Sequence, residues 1–549
     1  MMRKPETMKR AIRQAVQKTQ KSWEFPWQRN FAADVKKDRK GEHSMNTGKV
    51  WLVGAGPGDV GLLTVKGMEI LRQAEVVVYD SLVGQEILSR IPEQVRCINV
   101  GKRASHHTMP QEQINQVLVE EAKKGYRVVR LKGGDPFLFG RGGEELELLV
   151  KEGIPYEVVP GVTSPIAVPA YNGIPVTHRD FTSSVHIITG HKKQGAAYDI
   201  DFEALVRTKG TLVFLMGVSA LSDICGSLLQ AGMDKDMPAA ILQKGTTAGQ
   251  KRIVATISTL EEEVKRQGIE TPAILVVGRV CALSEEFAWH EKLPLSGYKV
   301  LVTRPRDLIS SMAEKLRLMG AEVLELPAIR TEPVEENAQL LEVLEKLDTY
   351  QWTVFTSPTG VRVFFEKLQE CHTDIRALAK LKIAAIGKGT TKALKERGIF
   401  ADYMPEIFDG EALGRGLCEL CEGTEKILLP RARMCNQEIL TELSQKPGIQ
   451  VDDIPIYDTF YETRDLIDRK KGFETGDIDC AVFTSASTVR GFREAAKGLD
   501  FTKVRAACIG RQTQAEADAL GMETYRAREA SIDSLLELVI ELKGKTARK

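Results

Sequence analysis

The chain has 549 residues, 43% of them hydrophobic and 28% charged, with a formal net charge of +1. That length exceeds a single core and predicts about two to four domains. The near-zero charge gives no whole-chain field for nucleic acid, and no apolar run approaches the roughly 20 residues that a bilayer requires.

Nine cysteines are scattered without metal-ligand spacing. The close pair Cys418 and Cys421 lacks the four ligands of a zinc site, so no metal is expected and a reducing, cytoplasmic compartment is. In residues 1–44, Lys and Arg outnumber Asp and Glu and no apolar period emerges. This predicts a disordered extension without a signal peptide. Lys40-Gly41-Glu42 can be encoded by a purine-rich run of the ribosome-binding type, a few codons before Met45. Met45 is therefore the expected start, with 1–44 as upstream sequence read through.

The first strand signal is the apolar run from Val50, which ends in a loop holding Gly54, Gly56 and Gly58. A dinucleotide fingerprint needs a third glycine where Asp59 stands, and an acid there opposes a pyrophosphate. A second strand runs from Ala74 to Asp80, and Asp80 has the spacing of a ribose-binding acid. A NAD-dependent dehydrogenase is thus an alternative for this half, with Asp59 against it. Strand, glycine loop and helix then recur at 128–145, 158–179, 211–218 and 273–280. Apolar strands alternating with helical patterns predict an α/β class, with ligands near the carboxyl ends of the strands.

These stretches resemble the tetrapyrrole methylase family, and within it the uroporphyrinogen-III C-methyltransferases. The resemblance runs from about Lys49 to Leu283. It is carried by GAGPGD (54–59), VVYDSLV (77–83), GKR (101–103), MPQEQIN (109–115), RLKGGDPFLFGRGGEE (130–145), VPGVTS (159–164), GIPVTHR (173–179), FLMGV (214–218) and QKGTT (243–247). It implies two α/β subdomains around a cleft and S-adenosylmethionine as cofactor, without NAD. The implied reaction is methylation of two pyrrole carbons of uroporphyrinogen III to give precorrin-2. Matched motif by motif, Pro57, Gly133, Gly134, Asp135, Leu138, Thr163, Ser164, Met216 and Gly245 are the implied cofactor-binding residues. Asp80 is the implied proton acceptor and Lys102 the proton donor. Arg103, Arg130, Arg141 and Arg179 are candidates for the eight substrate carboxylates. Action on a later corrin intermediate or on a diphthine precursor is a minor alternative within the family. No second glycine fingerprint precedes this half, so precorrin-2 oxidation and iron insertion are expected elsewhere.

A Pro/Gly linker at 291–297 leads to a new strand at 299–303. Residues 298–549 hold a degenerate repeat. VFTSPTGVRVFF (354–365) matches VFTSASTVRGFR (482–493), and IAAIGKGTTKALKERGI (383–399) matches AACIGRQTQAEADALGM (506–522). Two copies predict two similar α/β lobes facing a cleft. LVTRP (301–305), both VFTS motifs, both IG–T motifs and IPIYDT (454–459) resemble the uroporphyrinogen-III synthase family. The resemblance implies closure of hydroxymethylbilane with inversion of ring D. Lobe one is then expected at about 298–333 and 457–549, and lobe two at about 334–456. Helix N-termini after Ser357 and Ser485 suit carboxylates, Thr390 and Thr513 occupy matching places, and Tyr457 is the implied acid for hydroxide departure. A non-catalytic binding module is the alternative for this half. The methylase resemblance also implies a homodimer through the methyltransferase domain, with small tetrapyrroles as partners and neither nucleic acid nor membrane.

Overall fold

The computed structural model describes residues 48–92, 94–101, 109–190, 200–303, 306–326, 329–461 and 468–546. The extension 1–44 and two expected site residues, Lys102 and Arg103, lie outside the described residues.

The first sheet is parallel throughout. It holds β1 (Lys49–Gly54), β2 (Val76–Tyr79), β3 (Arg96–Asn99), β4 (Arg127–Lys132) and β5 (Tyr156–Val159), in the order β3-β2-β4-β1-β5. Val50, Leu52, Val53, Val77, Val78, Val128, Val129 and Leu131 are all inaccessible to solvent. Such near-continuous apolar runs are what a sheet covered on both faces requires. One covering helix, Val65–Gln73, starts where the Thr64 side chain accepts a hydrogen bond from the Gly67 amide, satisfying one of the free donors of the first turn.

The second sheet is mixed. It holds β6 (Val185–Thr189), β7 (Thr211–Leu215), β8 (Pro238–Gln243), β9 (Lys251–Thr256) and β10 (Ala273–Val277), in the order β6-β7-β10-β8-β9. Only β6 and β7 pair in parallel. The short 244–250 connection between β8 and β9 permits a hairpin but is too short for a parallel crossover.

The second half begins with β11 (Lys299–Thr303) and β12 (Glu322–Leu326). The chain then leaves to build another sheet from β13 (Ile329–Pro333), β14 (Trp352–Phe355), β15 (Lys382–Ala385), β16 (Lys426–Ala432) and β17 (Gln450–Tyr461). It returns for β18 (Cys480–Phe483), β19 (Arg505–Cys508) and β20 (Glu523–Arg526). The third sheet is ordered β12-β11-β18-β19-β20 and the fourth β13-β17-β16-β14-β15. The two superpose by topology when β14-β15 is set on β18-β19 and β16-β17 on β11-β12, every matched pair being parallel. A parallel bridge from Ala384 to Tyr403 takes the place of β20. The lobes are therefore circular permutations of one plan, with one inserted into the other. Between them runs a two-stranded antiparallel ribbon that pairs β13 with residues 457–461 of β17. Among the described residues, no helix is long and apolar enough to cross a membrane.

Candidate functional site

Because β1, β2, β4 and β5 run parallel, the loops that follow them emerge on one edge of the first sheet. Gly56 and Gly134 exchange backbone hydrogen bonds, of 3.2 Å from the Gly56 amide and 2.7 Å from the Gly134 amide. A Cβ on Gly54 would lie 2.5 Å from the Gly161 Cα, so these loops close only with glycine. The Asp135 carboxylate accepts hydrogen bonds from the Phe137 amide (2.8 Å), the Leu138 amide (3.2 Å) and the Gly161 amide (2.9 Å). It fixes its own turn and ties it to the neighbouring loop. Gly134 has φ +68°, and a Cβ there would meet nothing within 4 Å. The loops thus leave an open space at Gly134.

The loops of the second sheet close the other side. The Asp59 amide donates to Thr246 Oγ1 at 3.2 Å, and a Cβ on Gly58 would lie 2.8 Å from Thr247 Cγ2. Gly245 is pressed against Val168, where a Cβ would come within 2.3 Å of Cγ1. Pro57 is half-buried on the first loop. Thr163 stands at the start of the helix Ser164–Tyr171 without spending its hydroxyl as a cap. Met216, half exposed, follows β7 with φ +55°.

Asp80 leaves β2 at the same edge. Its Oδ1 accepts from the Leu82 amide at 3.0 Å and its Oδ2 from an Arg130 Nη at 3.3 Å. Beneath it lies a buried charge network. Arg130 Nε donates to Glu145 Oε1 at 3.1 Å, Lys132 Nζ to the same oxygen at 2.7 Å, and Gln111 Nε2 at 3.2 Å. Arg130 Nη1 is held by the carbonyl of Leu131 at 3.1 Å. Burial, and then the adjacent Arg130, lower the Lys132 pKa. Two carboxylates and two cations make the cluster neutral as a whole, which lets it stay charged in a dry setting. Arg130, expected to bind substrate carboxylates, is 3% exposed with its donors engaged. Its place is beneath Asp80, as the support of that carboxylate. Arg141 is exposed, at φ +56°, and pairs with Glu144 at 2.8 Å.

In the second half, Ser357 and Ser485 cap the helices Pro358–Glu370 and Ala486–Ala495, accepting from the Gly360 amide at 2.9 Å and the Thr488 amide at 3.3 Å. Ser357 Oγ also meets the Tyr457 hydroxyl at 2.9 Å. Tyr457 stands at an irregularity where β17 leaves its pairing with β16 for β13. Its ring is nearly enclosed, and burial raises its pKa against the lowering effect of Ser357. The phenol is therefore protonated across the neutral range, the state an acid needs. Thr390 and Thr513, expected to meet substrate, are only 2% and 4% exposed in the first turns of their helices. As third residues of these turns they pack inward. The helix Ala486–Ala495 of lobe one packs against the ribbon, and Gln512 Nε2 reaches Glu438 of lobe two at 3.2 Å.

Two family models match this chain. Tetrapyrrole (Corrin/Porphyrin) Methylases covers residues 49–261, and Uroporphyrinogen-III synthase HemD covers residues 310–537. A porphyrin biosynthesis protein HemD of Ruminiclostridium josui is 46% identical over 500 residues, spanning 91% of this chain and 99% of its own. The chain belongs to this family of fused tetrapyrrole methylases and HemD synthases. A uroporphyrinogen-III C-methyltransferase of Bacillus subtilis is 42% identical over 355 residues, 64% of this chain and 72% of its own. A siroheme synthase of Citrobacter koseri is 50% identical over 242 residues, 44% of this chain and 52% of its own, so the likeness spans about half of that protein. The fused methylase–synthase is thus a tetrapyrrole-biosynthesis enzyme of the S-adenosylmethionine-dependent methylase class, with a HemD-type domain behind it.

Sequence patterns missed three elements of the methylase site. Glu145, wholly buried, stands among exposed acids in a run that reads as a solvated helix face. Lys132 reads as an ordinary strand end, although its two-residue spacing from Arg130 places both cations on one face of β4. Tyr171, which donates to Asp59 at 2.6 Å, carries no local signal, since its partner is 112 residues away.

Proposed function

We propose that the enzyme closes hydroxymethylbilane to uroporphyrinogen III with inversion of ring D in residues 298–549, and methylates that product twice to precorrin-2 in residues 45–290. The observation that carries the reading is the meeting of loops from both methylase sheets around the open Gly134 backbone, with Asp80 at its rim. Pro57, Gly133, Gly134, Asp135, Leu138, Thr163, Ser164, Met216 and Gly245 would hold S-adenosylmethionine, which supplies the methyl group when bound. Backbone close approach at the glycines orients the cofactor against the pyrrole carbon, and positioning supplies much of the rate. Asp80, presented by Arg130, accepts the proton that leaves the macrocycle, and Lys102 returns one. Arg103 and Arg141 offer charge to substrate carboxylates.

In the synthase domain the lobes hold the flexible tetrapyrrole folded and exclude closure to the wrong isomer. The Thr359, Ala486 and Ser487 amides, which the caps leave open at the helix starts, receive carboxylates, and the Tyr457 hydroxyl, polarised by Ser357, protonates the departing hydroxide. The proposal places the enzyme in the cytoplasm as a homodimer through its methyltransferase domain. An anaerobic assay of the full chain on hydroxymethylbilane tests both activities. Uroporphyrinogen III alone, and a doubly methylated product once S-adenosylmethionine is added, are expected. Methylation of supplied uroporphyrinogen III without closure of hydroxymethylbilane would reduce residues 298–549 to a binding module.

A further inference from the structure

The methylase and synthase halves meet through a buried ionic cluster. Glu86, 3% exposed, lies on the short helix Gln85–Leu88 of the methylase. Its carboxylate pairs with Arg317, from the helix Arg306–Leu318 that follows β11 in the synthase. Arg317 also donates to Glu325 of β12 at 2.7 Å, and Glu325 in turn pairs with Arg90 of the methylase at 2.7 Å. A second tie runs from the Ala248 amide, in the β8–β9 loop of the methylase, to Glu322 of β12 at 2.8 Å.

Both tied segments continue directly into the cofactor cradle. Upstream of Glu86, a Cβ on Gly84 would lie 2.8 Å from the Gly58 carbonyl, and Leu82 packs so closely on Gly133 that a Cβ there would approach to 2.6 Å. Asp80 begins this segment. The other segment carries Gly245 and Thr246, the latter bonded to the Asp59 amide. One strand and one helix of the synthase therefore grip both sides of the methylase cleft from behind. A methylase without this partner would leave Glu86 and Arg90 without their counter-charges.

We propose that Arg317, a synthase-domain residue, is a positioning residue for methyl transfer. Through Glu86 it fixes residues 81–88 against the cofactor cradle, so the methylase site is complete only when lobe one is docked. The proposal rests on the methyl-transfer reading above. Coupling of this kind is reciprocal: a docked lobe tightens the cradle, and an occupied cradle tightens the docking.

The test uses the full chain, with methyl transfer from S-adenosylmethionine to supplied uroporphyrinogen III and closure of hydroxymethylbilane measured side by side. Arg317→Met is expected to raise the KM for S-adenosylmethionine about 10-fold, within the range of ordinary coupling energies, with a smaller fall in kcat and unchanged synthase activity. Arg317→Lys, which keeps the charge, should restore most of the loss. An unchanged KM in an Arg317→Met protein that retains synthase activity overturns the proposal. Where Arg317→Met loses both activities through misfolding, hydrogen exchange on the wild-type chain decides. S-adenosylhomocysteine should increase protection of peptides spanning 312–326, which lie outside the methylase residues 45–290, and no change there overturns the proposal. A wild-type chain that binds S-adenosylhomocysteine with that protection yet transfers no methyl group would instead remove the methyl-transfer reading.

Discussion

Asp80 depends on a single guanidinium, and that guanidinium depends on Glu145. Replacing Asp80 by Asn should lower kcat for methyl transfer about 10²–10⁴-fold, the range of general-base contributions, while calorimetric binding of S-adenosylhomocysteine stays unchanged. Glu145→Gln strands Arg130 and Lys132 as two buried cations without their shared carboxylate. Thermal unfolding should show a loss of about 3–5 kcal/mol, the cost of breaking a buried pair. At the other site, Tyr457→Phe should lower the closure rate of hydroxymethylbilane with little change in KM, since the ring and its packing remain. The reach of sequence differs sharply among these residues. The place of Asp80 was legible, because an apolar strand ends just before it, whereas its proposed role came from the family resemblance. Arg130 was legible only as a charge, and its true partner, Glu145, lies across a helix start in a run of acids that pattern alone assigns to solvent. Burial of an ion pair is a tertiary event, and no local periodicity announces it.

Among the elements, loop closure carries the most consequence. Gly58 has φ +155° and its missing Cβ would press on Thr247, so Gly58→Ala strains the backbone and also pushes the two methylase sheets apart. Binding of S-adenosylhomocysteine should weaken at least 10-fold by calorimetry, whereas Gly143→Ala, in open space on the helix Gly142–Lys151, should leave it unaltered. The glycine loop itself was readable from residues 54–59, with Asp59 standing where a dinucleotide fingerprint has its third glycine. Its structural use was not readable: its carboxylate caps the Gly61 amide at 2.7 Å and receives the Tyr171 hydroxyl. The internal repeat likewise announced two related lobes through the VFTS and IG–T motifs. What it concealed was the permutation. The unit repeated in chain order is β14-β15 in one lobe and β18-β19 in the other, whereas the remaining strands match only out of chain order.

At the scale of the whole molecule, the junction between the halves should respond to pH. Burial outweighs pairing at Glu86 and raises its pKa from 4.5 to about 7, against the pull of Arg317 and with Asp59 and Glu322 adding to the rise. At Arg317, two carboxylates outweigh burial and the pKa goes up. A carboxyl whose folded pKa lies above its unfolded value stabilises most below the unfolded value, and that contribution is lost as pH rises through the folded one. Stability of the docked chain should therefore fall between pH 4.5 and about 7, beyond the trend of the other groups. In Glu86→Gln that component of the slope should vanish in denaturant titrations at stepped pH.

The insertion of one lobe into the other also sets a timetable for synthesis. The interior strand β11 is made early, yet its neighbour β18, which pairs Val300 with Cys480, emerges only after the whole of lobe two. At about 5–20 residues per second, β11 and β12 wait on the order of 10–40 s with one flank of their sheet unpaired. Arg317, Glu322 and Glu325 meanwhile meet a methylase that has already emerged from the ribosome. The finished front domain thus acts as a template that shelters the half-built sheet while its remaining strands are translated. Ribosome-stalled chains ending near residue 460 should resist proteolysis at 299–326 when the methylase precedes them, and should be cut there when it is deleted.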